Sequence, residues 1–188
     1  MDMYKLKWTH LQSEIFRFLC VKAGQRLSLR GIAKFLKVSP TAVSKSVREL
    51  EKCGLIKIER PDAINRLSVK FNRDNPKAID LKRAENLKMI YESGLHDYLS
   101  ENFPGCTIIL FGSYSFGEDV WINTEEGHKS DIDIAIIGTK GKEVNLIKFE
   151  KLLERDIIIN FYMSFKNIHE NLRNNILSGI FLKGRVEL

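Results

Sequence analysis

The chain has 188 residues, 44% of them hydrophobic, and a formal net charge of +6, enough for one medium globular domain or two small ones. No apolar run reaches the roughly 18 residues that a membrane helix needs, and the opening MDMYKLKWTH lacks an apolar signal core, so a cytoplasmic protein with no membrane partner is expected. Cys20, Cys53 and Cys106 are widely spaced with no CxxC pair, which argues against a structural zinc site and for reduced core cysteines.

The charge is unevenly divided. Residues 1–76 hold 16 Lys/Arg against 7 Asp/Glu, giving +9, and residues 77–188 hold 14 against 17, giving −3. A basic module that meets a polyanion, joined to a mildly acidic module with another task, is the arrangement this suggests. In chain order, LQSEIFRFLCVKAG places Leu11, Ile15, Phe18, Leu19 and Ala23 at helical spacing and stops at Gly24. SLRGIAKFLKV begins at Ser28, a good N-cap, with Leu29, Ile32, Ala33 and Leu36 on one face. After a short VSP turn, Ser39 caps and Pro40 opens a third helix that buries Val43, Val47 and Leu50 and ends at Gly54. Its other face offers Thr41, Ser44, Lys45 and Arg48.

LIKIER and NRLSVKF then alternate as two strands around the turn-like PDAIN. The segment 28–60 resembles the winged helix-turn-helix DNA-binding regulators, an α+β module. The resemblance implies that the third helix enters the major groove of double-stranded DNA, with Arg60 and Arg66 on the wing. Winged helices also serve as protein-interaction modules, and the +9 charge favours DNA. The expected domain spans residues 1–74.

Residues 75–84 fall in a polar, Asn-Pro-containing stretch expected to be a linker or the entry to a new helix. A helix through KRAENLKMIYESGLHDYLSENF follows, with Leu87, Ile90, Leu95, Tyr98 and Leu99 apolar and Gly94 as an interior flaw.

The strand CTIILFGS runs into Gly112-Ser113, and YSFGE adds Ser115 and Gly117. Glycine lets a phosphate approach the backbone closely, and a helix starting at the turn would favour an anion. The strand DIDIAII puts Asp131 and Asp133 on one face and Ile132 and Ile134 on the other. Two carboxylates about 7 Å apart, from a rise of about 3.3 Å per residue, can share one or two Mg²⁺ ions, which offsets the cost of burying them.

FGSYSFGE followed by SDIDIAII resembles the signature of the polymerase-β-like nucleotidyltransferases, in particular the minimal nucleotidyltransferases of prokaryotes that include antitoxins. The resemblance covers residues 85–188 and implies an α/β fold with a mixed sheet. It implies Mg²⁺ (or Mn²⁺) held by Asp131 and Asp133, and a nucleoside triphosphate, ATP by preference, at Gly112, Ser113, Ser115 and Gly117. It also implies transfer of NMP to a protein or nucleic-acid acceptor, and a cognate toxin as partner. Two departures stand out. Residues 118–129 lengthen the interval between Ser113 and Asp131 and carry Val120, Trp121 and Ile122. Asn160 falls where the third acid is expected, with Asp156 on the same face about 13 Å away, and asparagine cannot serve as a general base.

Two functions therefore stand open. One is a Mg²⁺-dependent nucleotidyltransferase directed by its winged helix. The other is a transcription regulator whose transferase-like domain senses nucleotide or binds a partner without turnover. The second module is small, so base recognition falls to a partner or a homodimer.

Overall fold

A computed structural model of the chain describes residues 8–60, 67–121 and 129–186. Contacts divide it into two units, Met1–Ala78 with Val120–Glu125, and Ile79–Asp119 with Glu126–Leu188.

The first unit runs α1 (His10–Val21), β1 (Leu27–Ser28), α2 (Leu29–Leu36), α3 (Pro40–Lys52), β2 (Ile56–Glu59) and β3 (Ser68–Phe71). Each helix begins on a side-chain cap that satisfies an otherwise orphaned N–H. Thr9 and Gln12 form a reciprocal capping box on α1. Ser28 Oγ accepts from the Gly31 N–H at 3.0 Å, and Ser39 Oγ from the Ala42 N–H at 3.2 Å, with Pro40 in the first turn of α3. Ile15, Phe16, Leu19, Ile32, Val43, Val47 and Leu50 are buried, each side chain contributing about 1.5–3 kcal/mol by leaving water. The three strands form one antiparallel sheet in the order β1-β3-β2. The two-residue β1 is too short to show a period and was not legible as a strand.

The polar stretch after β3 is a helix start, not a linker. Asn75 Oδ1 accepts from the Lys77 N–H at 3.0 Å, and α4 (Pro76–Glu92) begins at the following proline. An Asn cap with Pro behind it is a helix signal as much as a breaker. The helix carries the chain across the boundary between the units at Ala78. Gly94 is not inside a helix either, since α4 ends at Glu92 and α5 (Leu95–Asn102) starts afresh with Gly94 as its N-cap.

The second unit continues with β4 (Thr107–Phe111), α6 (Gly112–Phe116), β5 (Ile132–Ile137), α7 (Ile147–Leu153), β6 (Ile157–Tyr162), a 3-10 turn at Phe165–Asn167, α8 (Glu170–Leu177) and β7 (Ile180–Lys183). Its sheet is mixed, in the order β6-β5-β4-β7, with β5 and β6 parallel and the other pairs antiparallel. One face, with Ile132, Ile134 and Ile136, packs on Ile90, Leu99, Phe149 and Leu153 of the neighbouring helices. The other, with Ile109, Phe111, Ala135 and Ile137, is covered by Phe165, Ile168 and Ile176. α8 thus lies on this face of the sheet through Ile176.

Of the cysteines, Cys20 and Cys106 are buried but Cys53 is exposed at the C-cap of α3, which corrects its expected place in a core; all three are free thiols. Among the described residues no helix is long and apolar enough to cross a membrane.

Candidate functional site

The outward face of α3 is built by the residues on its inward one. Val43, Val47 and Leu50 are fully buried, which turns Thr41, Lys45 and Arg48 out to solvent and leaves Ser44 half-exposed. Two cations and two hydroxyls stand along the first turns of a helix whose cap is Ser39, a set suited to base edges and phosphate oxygens. At the base of the wing, Glu59 takes Lys70 at 2.5 Å and Arg26 at 3.1 Å. The Lys70 hydrogen bond, helped by Arg26, holds the Glu59 carboxyl below the usual carboxylate range. Those two cations are thereby engaged inside the unit, while Arg60 is exposed. Arg66 and the tip of the wing lie outside the described residues.

In the second unit, Asp133 stands opposite Phe111 at the end of the β4–β5 ladder, directly before the Gly112-Ser113 turn. Gly112 has φ +72°, and a Cβ there would lie 2.5 Å from Asp133 Oδ2. Only glycine fits that backbone against that carboxylate. Asp131 and Asp133 are half-buried on one sheet face, as the two-residue period requires. Burial first, and the neighbouring Asp131 charge second, push the Asp133 carboxyl above the usual range. A divalent cation would relieve both causes, and two carboxylates are the hard oxygen donors that Mg²⁺ takes alongside water.

The rest of the expected constellation is rearranged. The parallel ladder aligns Asp133 with Ile158 and Ala135 with Asn160. The position directly beside Asp133 therefore holds an exposed isoleucine, and Asn160 lies two residues further along the strand on the same face. Asp156 stands beside Asp131 at the strand entrance, where its backbone carbonyl accepts from the Ile132 N–H at 2.9 Å, and its side chain is exposed. Among the described residues, no three His, Cys, Asp or Glu side chains come together to hold a metal.

Ser115 is fully buried and donates its hydroxyl to the Gly112 carbonyl at 2.8 Å, bracing the turn instead of facing a phosphate. Gly117 packs on α4, where a Cβ would lie 2.6 Å from the Ile79 carbonyl. That leaves Gly112 and Ser113 of the four expected nucleotide contacts. The helix expected after the turn is present as α6 but has five residues, a short dipole for an anion.

One polar cluster escaped the sequence reading. Lys82, Asn86, Asp119 and Arg155 are all buried. Asp119 pairs with Lys82, accepts from Asn86 Nδ2 at 2.7 Å and from Arg155 at 3.0 Å, and Asn86 Nδ2 also reaches the Tyr114 carbonyl at 2.9 Å. The signal was the row Ala78, Lys82, Asn86 and Ile90 at four-residue spacing, where a lysine and an asparagine interrupt a stripe that is otherwise apolar.

Comparison with known proteins bears on the first unit. Residues 6–63 match the model of the MarR family. No curated protein matches the chain. Similar solved structures include ZitR from Lactococcus lactis, a zinc-responsive MarR family member, with 23% identity and a TM-score of 0.40 over 56% of this chain and 69% of that one. Adhesin competence repressor (AdcR) from Streptococcus pyogenes gives 19% and 0.42 over 55% and 72%. An S. aureus MepR–DNA complex gives 20% and 0.37 over 50% and 77%. These likenesses are too distant to carry an argument. The family match falls wholly within the first unit and covers less than a third of the chain, so it is the N-terminal winged helix, and not the whole chain, that it assigns to the MarR family.

Proposed function

We propose that the chain is a DNA-binding transcription regulator whose second unit binds a nucleoside triphosphate with Mg²⁺ or Mn²⁺ and does not turn it over. The observation that carries the reading is α3: an outward row of Thr41, Ser44, Lys45 and Arg48, set by a buried inward row, within the segment that matches the MarR family. A homodimer reading two half-sites one DNA turn apart, about 34–36 Å, is part of the reading.

The pocket half of the reading rests on Asp131, Asp133 and Gly112. The two carboxylates would hold the cation, which when bound supplies charge neutralisation for the phosphates, and Gly112 would let those phosphates approach the backbone. Ser113 is the remaining hydroxyl at the turn. The regulator is favoured over the transferase by Ile158, because an isoleucine beside Asp133 cannot take a proton from an acceptor hydroxyl. These contacts support neither a protein acceptor nor a cognate toxin.

Selection from a pool of random duplexes tests the DNA half. At physiological salt the wild-type chain should enrich one sequence class, and Arg48→Ala should weaken or relax that preference. Equal recovery of all sequences by the wild type would overturn the reading.

A further inference from the structure

The two edges of the second unit's sheet are finished in opposite ways. β7, at one edge, has four residues, ends in Lys183, and shifts register against β4 between Ile108 and Ile109. His96 Nε2 lies 3.2 Å from its Leu182 carbonyl. Short strands, lysines and irregular register are devices by which an edge avoids pairing with another chain. β6, at the other edge, carries none of them. Its sequence IIINFY runs six residues without a charge, a proline or a glycine.

The hydrogen bonds of β6 show which of its backbone groups remain open. On the inner side the Asp156 and Tyr162 carbonyls accept from the Ile132 and Gly138 N–H groups at 2.9 and 2.8 Å. The alternation along a strand therefore aims the backbone groups of Ile157, Ile159 and Phe161 outward. The Ile157 N–H is capped by Glu150 Oε1 at 3.3 Å. Among the described residues, Ile159 and Phe161 have no such partner, and β6 pairs with β5 alone.

We infer that β6 is an interface at which a second copy of this chain adds its own β6, antiparallel, about a two-fold axis through Asn160. That register uses the open groups and no others. Ile159 exchanges both hydrogen bonds with Phe161 of the partner subunit, and Phe161 does so with the partner's Ile159, while Ile157 keeps its Glu150 cap. Asn160 meets the partner's Asn160 at a non-hydrogen-bonded position, where side chains stand closest and two amides can bond to each other. An asparagine suits that place better than an acid, which would face its own copy. On the same face the exposed Ile158 is covered by the partner's Tyr162, and on the other Ile159 meets the partner's Phe161. Both are pairs of an aromatic with a β-branched residue, which favour a sheet.

Charge points to the same occupant. Asp156 precedes β6 and Lys166 follows its far end, both exposed, so antiparallel copies bring the acid of each toward the lysine of the other. The inference gives the homodimer proposed above its interface, and it rests on that part of the reading alone, not on DNA or nucleotide binding. Six residues a side make less than a standard interface, so the dimer should come apart on dilution.

Sedimentation equilibrium of the full chain, without DNA, nucleotide or metal, should show monomer and dimer exchanging between about 1 μM and 1 mM. Asn160→Asp and Asn160→Lys each set like charges opposite one another and should weaken the dimer about tenfold or more. Mixed in equal amounts, the two variants should associate as the wild type does, which also shows that each is folded. A wild type that stays monomeric over the whole range would overturn the interface and the homodimer together. A wild-type dimer that neither variant weakens would overturn the interface and leave the homodimer standing. Two weakened variants that fail to pair when mixed would overturn the two-fold at Asn160.

Discussion

At Asp133 one carboxylate is pressed by burial and by its neighbour Asp131, so its ionised form is disfavoured in the folded chain. For an acid raised in this way, the fold binds the proton more tightly than the unfolded chain. Stability is therefore lost as pH rises from the ordinary carboxylate range through the raised value, and the loss stays in full above it. Asp133→Asn should raise the melting temperature at pH 7, with the gap to wild type closing as pH falls to where both states are protonated. Thermal melts between pH 4 and 8 check this, and a gap that widens on acidification would show the sign to be wrong. Mg²⁺ or Mn²⁺ should reverse the order, raising the melting temperature of the wild type and leaving that of Asp133→Asn where it was. Gly112→Ala meets both a positive φ and the Asp133 carboxylate, and should cost about 1–3 kcal/mol in denaturant melts. On the DNA side, Arg48→Ala should weaken the selected duplex by about 1–3 kcal/mol if the guanidinium reads a base edge. If it touches phosphate instead, the slope of log affinity on log salt should fall by about 1 and the loss should be equal for all sequences.

Among the elements, α3 was legible because cap, first-turn proline and apolar row all agree: Ser39, Pro40 and then Val43, Val47 and Leu50 point to one helix with one buried side. Ser39→Ala should accordingly cost about 1 kcal/mol of stability, read from chemical melts. The paired acids, Asp133 on β5 and Asp131 directly before it, were legible for the same reason, since a two-residue period fixes which side chains share a face. The partner register was not. Which residue of β6 stands beside Asp133 depends on a parallel pairing between segments that are more than 20 residues apart, and nothing local to IIINFY distinguishes Ile158 from Asn160. The roles of Ser115 and Gly117 were hidden by composition. Small residues after a glycine turn suit a phosphate or a close-packed helix equally, and here α4 takes Gly117 and the turn takes Ser115. The Asp119 cluster was missed because its members come from three separated segments. Asp119→Asn, which leaves Lys82 and Arg155 facing a neutral amide, should destabilise the second unit by about 3–5 kcal/mol, a loss that chemical denaturation resolves. A loss under about 1 kcal/mol would mean that the cluster does not brace the unit.

Over the whole molecule, the +9 and −3 halves of the sequence correspond closely to the two units, whose boundary on the outgoing chain falls at Ala78. The basic half is also the half with the outward cationic helix, so charge and geometry indicate the same partner. Its attraction to any duplex rests on phosphate neutralisation and weakens with salt; preference for one duplex rests on α3 and does not vanish with it. The measurement that bears most directly on a regulator of transcription is therefore the ratio of dissociation constants for the selected and a scrambled duplex, titrated at about 150 mM salt, the physiological range. A ratio of about a thousand or more is expected of a sequence-reading protein. A ratio near one, with both affinities falling together as salt rises, would reduce the winged helix to a nonspecific cationic surface and contradict the assignment.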